Sequence, residues 1–259
     1  MSTAALQGSF AEHIAALEAV TTSAGKHVPV VAVRTPADLA RCRALIIPGG
    51  ESTTISLLIR KSGLYEPLKE FVALAKRGDA QRSIWGTCAG MILLAKEIDG
   101  PTSEGWEGFD GMDVRVARNQ FGRQVRPTFA MPLEAVLNAS PAPKQLQSFS
   151  HSVQLPFLPS DAPLLATFIR APILHSILPP SASSPPVEPL ARVPTSLLPS
   201  TKRALSATGG QLTLGPDAEV VMYRQGDLLA CSWHPELNQG ETRVHEWWLR
   251  DMVLHENGP

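Results

Sequence analysis

Ser83-Ile84-Trp85-Gly86-Thr87-Cys88-Ala89-Gly90 joins a short apolar run to an apolar helical pattern that continues from Ala89 to about Glu97. Gly-x-Cys-x-Gly between a strand and a helix has the form of a nucleophile elbow with cysteine in place of serine. The flanking glycines let the backbone turn sharply and let the helix approach the strand closely. Such a turn holds Cys88 at a helix N-terminus, where the dipole and free amides favour a thiolate. Without its glycines Cys88 would read as a small buried hydrophobe, which is how Cys42 and Cys231 read.

Upstream of the elbow, strands alternate with helices. Phe10, Ile14, Leu17 and Val20 follow helical spacing, and Val28 to Val33 reads as a strand. A helix is expected from about Pro36 to Arg43 with Thr35 as its cap. Ala44 to Ile47 reads as a buried strand, and Thr53 to Ser62 and Pro67 to Lys76 as helices. This alternation implies βαβ units, a parallel sheet and helices on both its faces, with a site at the carboxyl ends of the strands.

Downstream the pattern changes. Met112 to Val116 alternates with period two and predicts an exposed antiparallel strand. Further strands are expected at Ala166 to Arg170, Glu219 to Tyr223 and Leu228 to Trp233. Glu241 to His255 reads as a helix with Val244, Trp247, Trp248 and Met252 inward. The expected architecture is a three-layer α/β core, mostly parallel, with an antiparallel extension. Of 23 prolines, 16 fall between Pro127 and Pro216. They mark flexible inserts at about 138–163 and 175–215 within a single domain spanning 1–259.

Composition narrows the function. In 259 residues, 23 Lys plus Arg face 24 Asp plus Glu, a net charge of −1, which argues against nucleic-acid binding. The absence of a long apolar run argues against a membrane span, and the first residues lack the pattern of a secretory signal. Three sparse cysteines make a poor disulfide framework and fit a reducing, cytoplasmic setting. With no Cys-x-x-Cys pair, no metal site is expected.

Two other segments land beside the elbow in this scheme. Ser232-Trp233-His234-Pro235-Glu236 places His234 and Glu236 two residues apart, on one face if the strand runs on. A thiol needs a base that later protonates a leaving amine, and a carboxylate that orients that base. Alone, the tripeptide would read as a surface turn. Pro48-Gly49-Gly50-Glu51-Ser52-Thr53-Thr54 follows a buried strand, and its glycine pair can aim backbone amides into a pocket, as an oxyanion hole requires. It lacks the phosphate-loop spacing, and Ser52 or Thr53 can also serve there as a helix cap.

Taken together, Gly-Thr-Cys-Ala-Gly, Pro-Gly-Gly-Glu-Ser-Thr and His-Pro-Glu resemble class I glutamine amidotransferase domains. More narrowly, the chain resembles the glutaminase subunits of pyridoxal 5′-phosphate synthase. The added marks are Ala5-Leu6-Gln7-Gly8 with Glu12-His13, Arg118-Asn119-Gln120-Phe121-Gly122-Arg123-Gln124 and Phe168-Ile169-Arg170-Ala171-Pro172. The resemblance implies a flavodoxin-like fold and hydrolysis of glutamine to glutamate and ammonia for vitamin B6 synthesis. It implies a triad of Cys88 as nucleophile, His234 as base and acid, and Glu236 orienting it. It implies an oxyanion hole from the amides of Gly50 and Ala89, and glutamine binding by Gly50, Glu51, Ser52, Arg118, Ile169 and Arg170. No cofactor is expected. The implied partner is a (β/α)8-barrel synthase subunit in a large hetero-oligomer, with docking completing the oxyanion hole.

Competing readings are a glutaminase feeding another ammonia-using synthase, and a non-catalytic regulatory subunit. The first should lack the Arg118 and Phe168 segments, and the second should show a degenerate triad.

Overall fold

The computed structural model describes residues 2–4, 7–23, 28–78, 82–99, 106–118, 148–158, 162–180, 184–198, 214–238 and 240–256. Strand β1 (Ser2–Ala4) leads to helix α1 (Phe10–Ser23), then β2 (Val31–Val33), α2 (Pro36–Ala40) and β3 (Ala44–Ile47). Helices α3 (Ser52–Lys61) and α4 (Tyr65–Lys76) precede β4 (Ser83–Thr87), α5 (Ala89–Leu94) and β5 (Ala95–Asp99). After these come β6 (Met112–Ala117), β7 (Ser148–Val153), β8 (Leu164–Ile169), β9 (Ile173–Ile177) and β10 (Glu188–Arg192). Strands β11 (Val220–Gln225) and β12 (Leu228–Cys231) precede α6 (Arg243–Trp247), which widens into a π-helical turn over Trp248–Val253.

The main sheet has seven strands in the order β10-β11-β12-β4-β3-β1-β2. From β2 to β12 all neighbours are parallel, and β11 and β10 extend the sheet by antiparallel pairing. The parallel part, β2-β1-β3-β4-β12, has the flavodoxin-like order, which puts a ligand crevice at the carboxyl ends of its strands.

Because successive strand residues face opposite sides, each strand feeds two cores. Leu45, Ile47, Ile84 and Ala230 join one core with Ile55 and Ile59 of α3, Leu68 and Phe71 of α4, and Val114 of β6. Ala44, Ile46, Trp85 and Cys231 join the other with Leu17 of α1, Phe168 of β8, and Val244, Trp247 and Trp248 of α6. Three layers result, as expected, with helices on both faces.

Several boundaries differ from the sequence reading. Strand β2 begins at Val31, and α5 stops at Leu94, where the chain becomes β5. Strand β6 is buried along most of its length, running parallel to β5 and antiparallel to β9. The alternation misled because Asp113, a polar residue in an apparently outward position, is fully buried. Its carboxylate accepts from Gln225 Nε2 at 2.7 Å and Lys76 Nζ at 3.0 Å, which satisfies the buried charge. Within the stretches expected to be inserts, β7 pairs antiparallel with β8 and β10 pairs with β11.

Candidate active site

The loops that leave β1, β3, β4 and β12 meet at the carboxyl edge of the sheet. Cys88 follows β4 and caps α5 with φ 47° and ψ −100°, a left-handed φ that non-glycine residues rarely adopt. Strain of this kind costs about 1–3 kcal/mol and persists where the surroundings over-determine it. Here Cys88 N–H donates to Cys231 O at 2.9 Å, holding the turn against the neighbouring strand. Gly90 supplies the other half of the elbow, since a Cβ there would overlap the carbonyl oxygen of Ile47.

His234 and Glu236 come together on a single 3-10 turn, Pro235–Leu237, and not along a continuing strand. Strand β12 ends at Cys231, and Pro235 opens the turn, where its fixed φ and missing N–H cost nothing. Nδ1 of His234 lies 2.8 Å from Oε1 of Glu236, both residues being only 8% exposed. A carboxylate only accepts, so Nδ1 carries a proton and donates it. Cys88 is near enough to the His234 side chain to act on its charge. Burial disfavours the charged imidazole, but Cys88 and Glu236 outweigh it and raise the His234 pKa to about 10. Burial likewise opposes ionisation of Glu236, but His13 and His234 hold it well below the ordinary carboxylate range.

The glycine loop packs against the chain that follows β1. Glu51 N–H donates to Gln7 Oε1 at 3.1 Å, and Ser9 N–H to Gly49 O at 3.3 Å. Glu51, and neither Ser52 nor Thr53, caps α3, accepting from Thr53 N–H at 3.1 Å and Thr54 N–H at 2.6 Å. Despite the opposing effect of burial, those donors hold its carboxyl below its ordinary value. Ser52 is buried in the first turn of α3, and Ala89 opens α5 directly after Cys88. The first amides of a helix have no intrahelical partner, and the Ala89 N–H is one of these, next to Cys88.

Arg118 reaches the same loop from the end of β6. Its Nη2 donates to Thr53 Oγ1 at 3.2 Å and lies 3.8 Å from Glu51 Oε1. Asn119 to Gln124, the rest of that motif, lies outside the described residues. Ile169 ends β8, and Arg170 is exposed with φ 46°, a second left-handed residue. Strand β8 approaches the triad turn through His234 N–H, which donates to Thr167 O at 2.9 Å. Among the described residues no group of histidine, cysteine and carboxylate side chains is arranged to hold a metal ion.

Sequence reading missed Gln7, Ser9, His13 and His245. Ser9 Oγ donates to Glu236 Oε1, and His13 Nε2 lies 3.2 Å from Glu236 Oε2. Gln7 and His13 belong to a recognised motif, but nothing in local sequence places Gln7 on the glycine loop or His13 beside a turn more than 220 residues away.

The family model of the SNO glutamine amidotransferase family matches residues 3–134 and 196–254. The chain belongs to that family. This SNO-family chain is 34% identical to a pyridoxal 5′-phosphate synthase subunit, SNO1, of Saccharomyces cerevisiae, over 96% of this chain and 91% of that one. It is 37% identical to a pyridoxal 5′-phosphate synthase subunit, PdxT, of Herpetosiphon aurantiacus, over 95% and 96% of the two chains. A crystal structure of a glutamine amidotransferase superposes with a TM-score of 0.62 at 30% identity, covering 96% of each chain. The SNO-family chain therefore has the fold of a glutamine amidotransferase.

Proposed function

We propose that this chain is a glutaminase that hydrolyses L-glutamine to L-glutamate and ammonia and supplies the ammonia to a pyridoxal 5′-phosphate synthase. The observation that carries the reading is the strained Cys88 elbow facing the His234–Glu236 pair. The relatives' names give the pathway, since they are called subunits of that synthase.

In this mechanism His234 is the base for the Cys88 thiol, and its raised pKa lets the imidazolium keep that proton until the leaving group takes it. The sulfur attacks the side-chain amide carbon of glutamine. The developing oxyanion is held by the amides of Gly50 and Ala89, where such donors typically contribute about 100- to 1,000-fold in rate. As the C–N bond breaks, imidazolium gives its proton to the leaving nitrogen, producing ammonia and a glutamyl thioester. His234 then takes a proton from water, hydroxide attacks the thioester, the C–S bond breaks and glutamate leaves. Glu236 holds Nδ1–H throughout and stabilises the imidazolium.

Glutamine is a zwitterion outside its reacting amide. Arg118 and Arg170 suit its carboxylate and Glu51 its ammonium, with Gly50, Ser52 and Ile169 completing the pocket. The whole chain acts as one glutaminase domain in the cytoplasm. It docks on a (β/α)8-barrel synthase subunit within a large hetero-oligomer, so that ammonia passes internally before it can be protonated and lost.

The test is glutamate release from glutamine by the purified chain, alone and with the synthase subunit. Activity that appears or rises with the partner supports the reading. Cys88→Ala is expected to bind the partner and release no glutamate. Continued release by that variant would remove Cys88 as nucleophile.

A further inference from the structure

Behind the triad carboxylate lies a fully buried pair of histidines that the mechanism above does not use. His13 comes from α1 and His245 from α6, both at 0% exposure. His13 Nδ1 is 2.9 Å from His245 Nε2. His13 Nε2 faces two groups at once, Thr87 Oγ1 at 3.3 Å and Glu236 Oε2 at 3.2 Å. Thr87 is the residue before the nucleophile, and Glu236 is the carboxylate that holds the base. One imidazole therefore bridges the elbow and the His-Pro-Glu turn, elements that are far apart in the chain.

The proton positions follow from the donors available. Ionised Glu236 has no proton, so a bare Nε2 lone pair at 3.2 Å would repel it, and Nε2 must carry hydrogen. The hydroxyl oxygen of Thr87 shares that N–H in the better-aligned direction. Oε2 has no aligned hydrogen-bond donor, and the group that meets its charge is the His13 Nε2–H lying 3.2 Å away. Burial pushes the His245 pKa down to about 3, leaving that ring neutral at pH 7. Its Nδ1 is buried without a partner. An unmatched lone pair is cheaper to bury than an unmatched N–H, so the His245 proton sits on Nε2 and points at His13 Nδ1. The result is a chain with one sense: His245 donates to His13, His13 turns its Nε2–H toward Glu236 Oε2, and His234 donates to Glu236 Oε1. Ser9 Oγ adds a further donor to Oε1. The edges of the Trp85 ring system pack on both histidines, with centroids 5.8 and 4.9 Å away, and fix their planes.

We propose that His13 is a positioning residue of the triad: its Nε2–H holds Glu236 in register with His234 while tying Glu236 to the elbow strand at Thr87. The inference rests on the glutaminase reading, and it assigns His245 the task of fixing which His13 nitrogen carries the proton. Glu236 is otherwise held at Oε1 alone, by Ser9 and His234, so without His13 its carboxylate can rotate about that end and off the imidazole.

The test compares His13→Leu, which removes the donor, with His13→Gln, whose amide NH2 reaches close to the position of Nε2. Both are assayed as full-length chains in complex with the synthase subunit, after checking melting temperature and complex formation. Loss of a close N–H contact to a buried charge corresponds to about 10-fold, and for His13→Leu that loss is expected in kcat with little change in KM. His13→Gln is expected to recover most of it. The rate of Cys88 alkylation by iodoacetamide should fall and recover in the same order, and this readout needs no glutamine. A His13→Leu enzyme with kcat and alkylation rate like those of the wild type would overturn the proposal. Equal loss in both variants would also overturn it, by showing that His13 only fills space. If the wild type alkylates rapidly and the variants rank as expected while no glutamate is released, the positioning role stands and the glutaminase reading fails.

Discussion

The Cα of Gly49 lies flat against the imidazole of His234, so that a Cβ at this position would overlap Cε1 and fall 2.8 Å from Nδ1. The glycine loop and His234 thus form one packed unit, and no side chain larger than hydrogen fits between them. Gly49→Ala can be accommodated only by moving the imidazole, the loop or both. A displacement of about 1 Å at a reacting group costs on the order of 100-fold in rate. The expected outcome is a large fall in kcat for glutamine hydrolysis with only a small change in melting temperature. An unchanged kcat would mean that His234 tolerates displacement and is not the base.

Gly90 makes the opposite kind of prediction. Its Cα faces the carbonyl oxygen of Ile47, a backbone atom held in the centre of the sheet, and Gly90→Ala must push helix α5 off strand β3. Overpacking of this sort costs about 1–3 kcal/mol, which corresponds to a fall of roughly 2–12 °C in melting temperature for a chain of this size. Thermal unfolding followed by circular dichroism would measure it. A variant as stable as the wild type would show that α5 can shift freely.

What the sequence made legible is local. The Gly-Thr-Cys-Ala-Gly turn, the buried run Ala44–Ile47 and the inward residues of α6 carry their structure in adjacent residues, and the three-layer fold follows from them. The pairing of His234 with Glu236 was foreseen, but an extended strand was assumed where Pro235 in fact opens a 3-10 turn. Two kinds of feature stayed hidden. Asp113 looked solvent-facing because its compensation comes from Lys76 and Gln225, which are distant in sequence. The groups behind Glu236 stay hidden for the same reason, since Ser9 and His13 reach it, and His245 reaches His13, only after the helices pack on the sheet.

Arg118 tests the substrate pocket separately from the chemistry. Its guanidinium rests on Thr53 and near Glu51, beside the glycine loop and away from the His234–Glu236 hydrogen bond. If it binds the glutamine carboxylate, Arg118→Leu removes a charge-assisted contact made equally in ground and transition states. Such a contact amounts to roughly 10- to 100-fold, and the loss should fall on KM, with kcat nearly unchanged. Steady-state kinetics with the synthase subunit present would decide. A fall in kcat at constant KM would place Arg118 in the chemistry, whereas a drop in stability alone would make it a prop for α3.

The charge state of His234 gives a prediction about stability and pH. Its pKa is about 10 in the folded chain against 6.5 for a free imidazole, because Cys88 and Glu236 together outweigh the cost of burial. A group whose pKa rises on folding stabilises the fold fully below its unfolded value and progressively less as pH approaches its folded value. The contribution of His234 is therefore complete at pH 6.5 and below, and it is lost as pH rises through about 10. Glu236 works in the other direction. Its lowered pKa stabilises above the ordinary carboxylate value and ceases to do so as pH falls through the folded one. Between pH 6.5 and 10 Glu236 stays ionised, so change in that window reports on the His234–Cys88 side of the pair. His234→Asn should be less stable than the wild type by the largest margin near pH 6.5, and the two should converge as pH approaches 10. Urea midpoints of both proteins at pH 6.5, 8 and 10 would measure the gap. A margin that stayed constant or widened with pH would show that His234 is neutral in the resting fold, and that it must take the proton from Cys88 during the reaction instead of holding it beforehand.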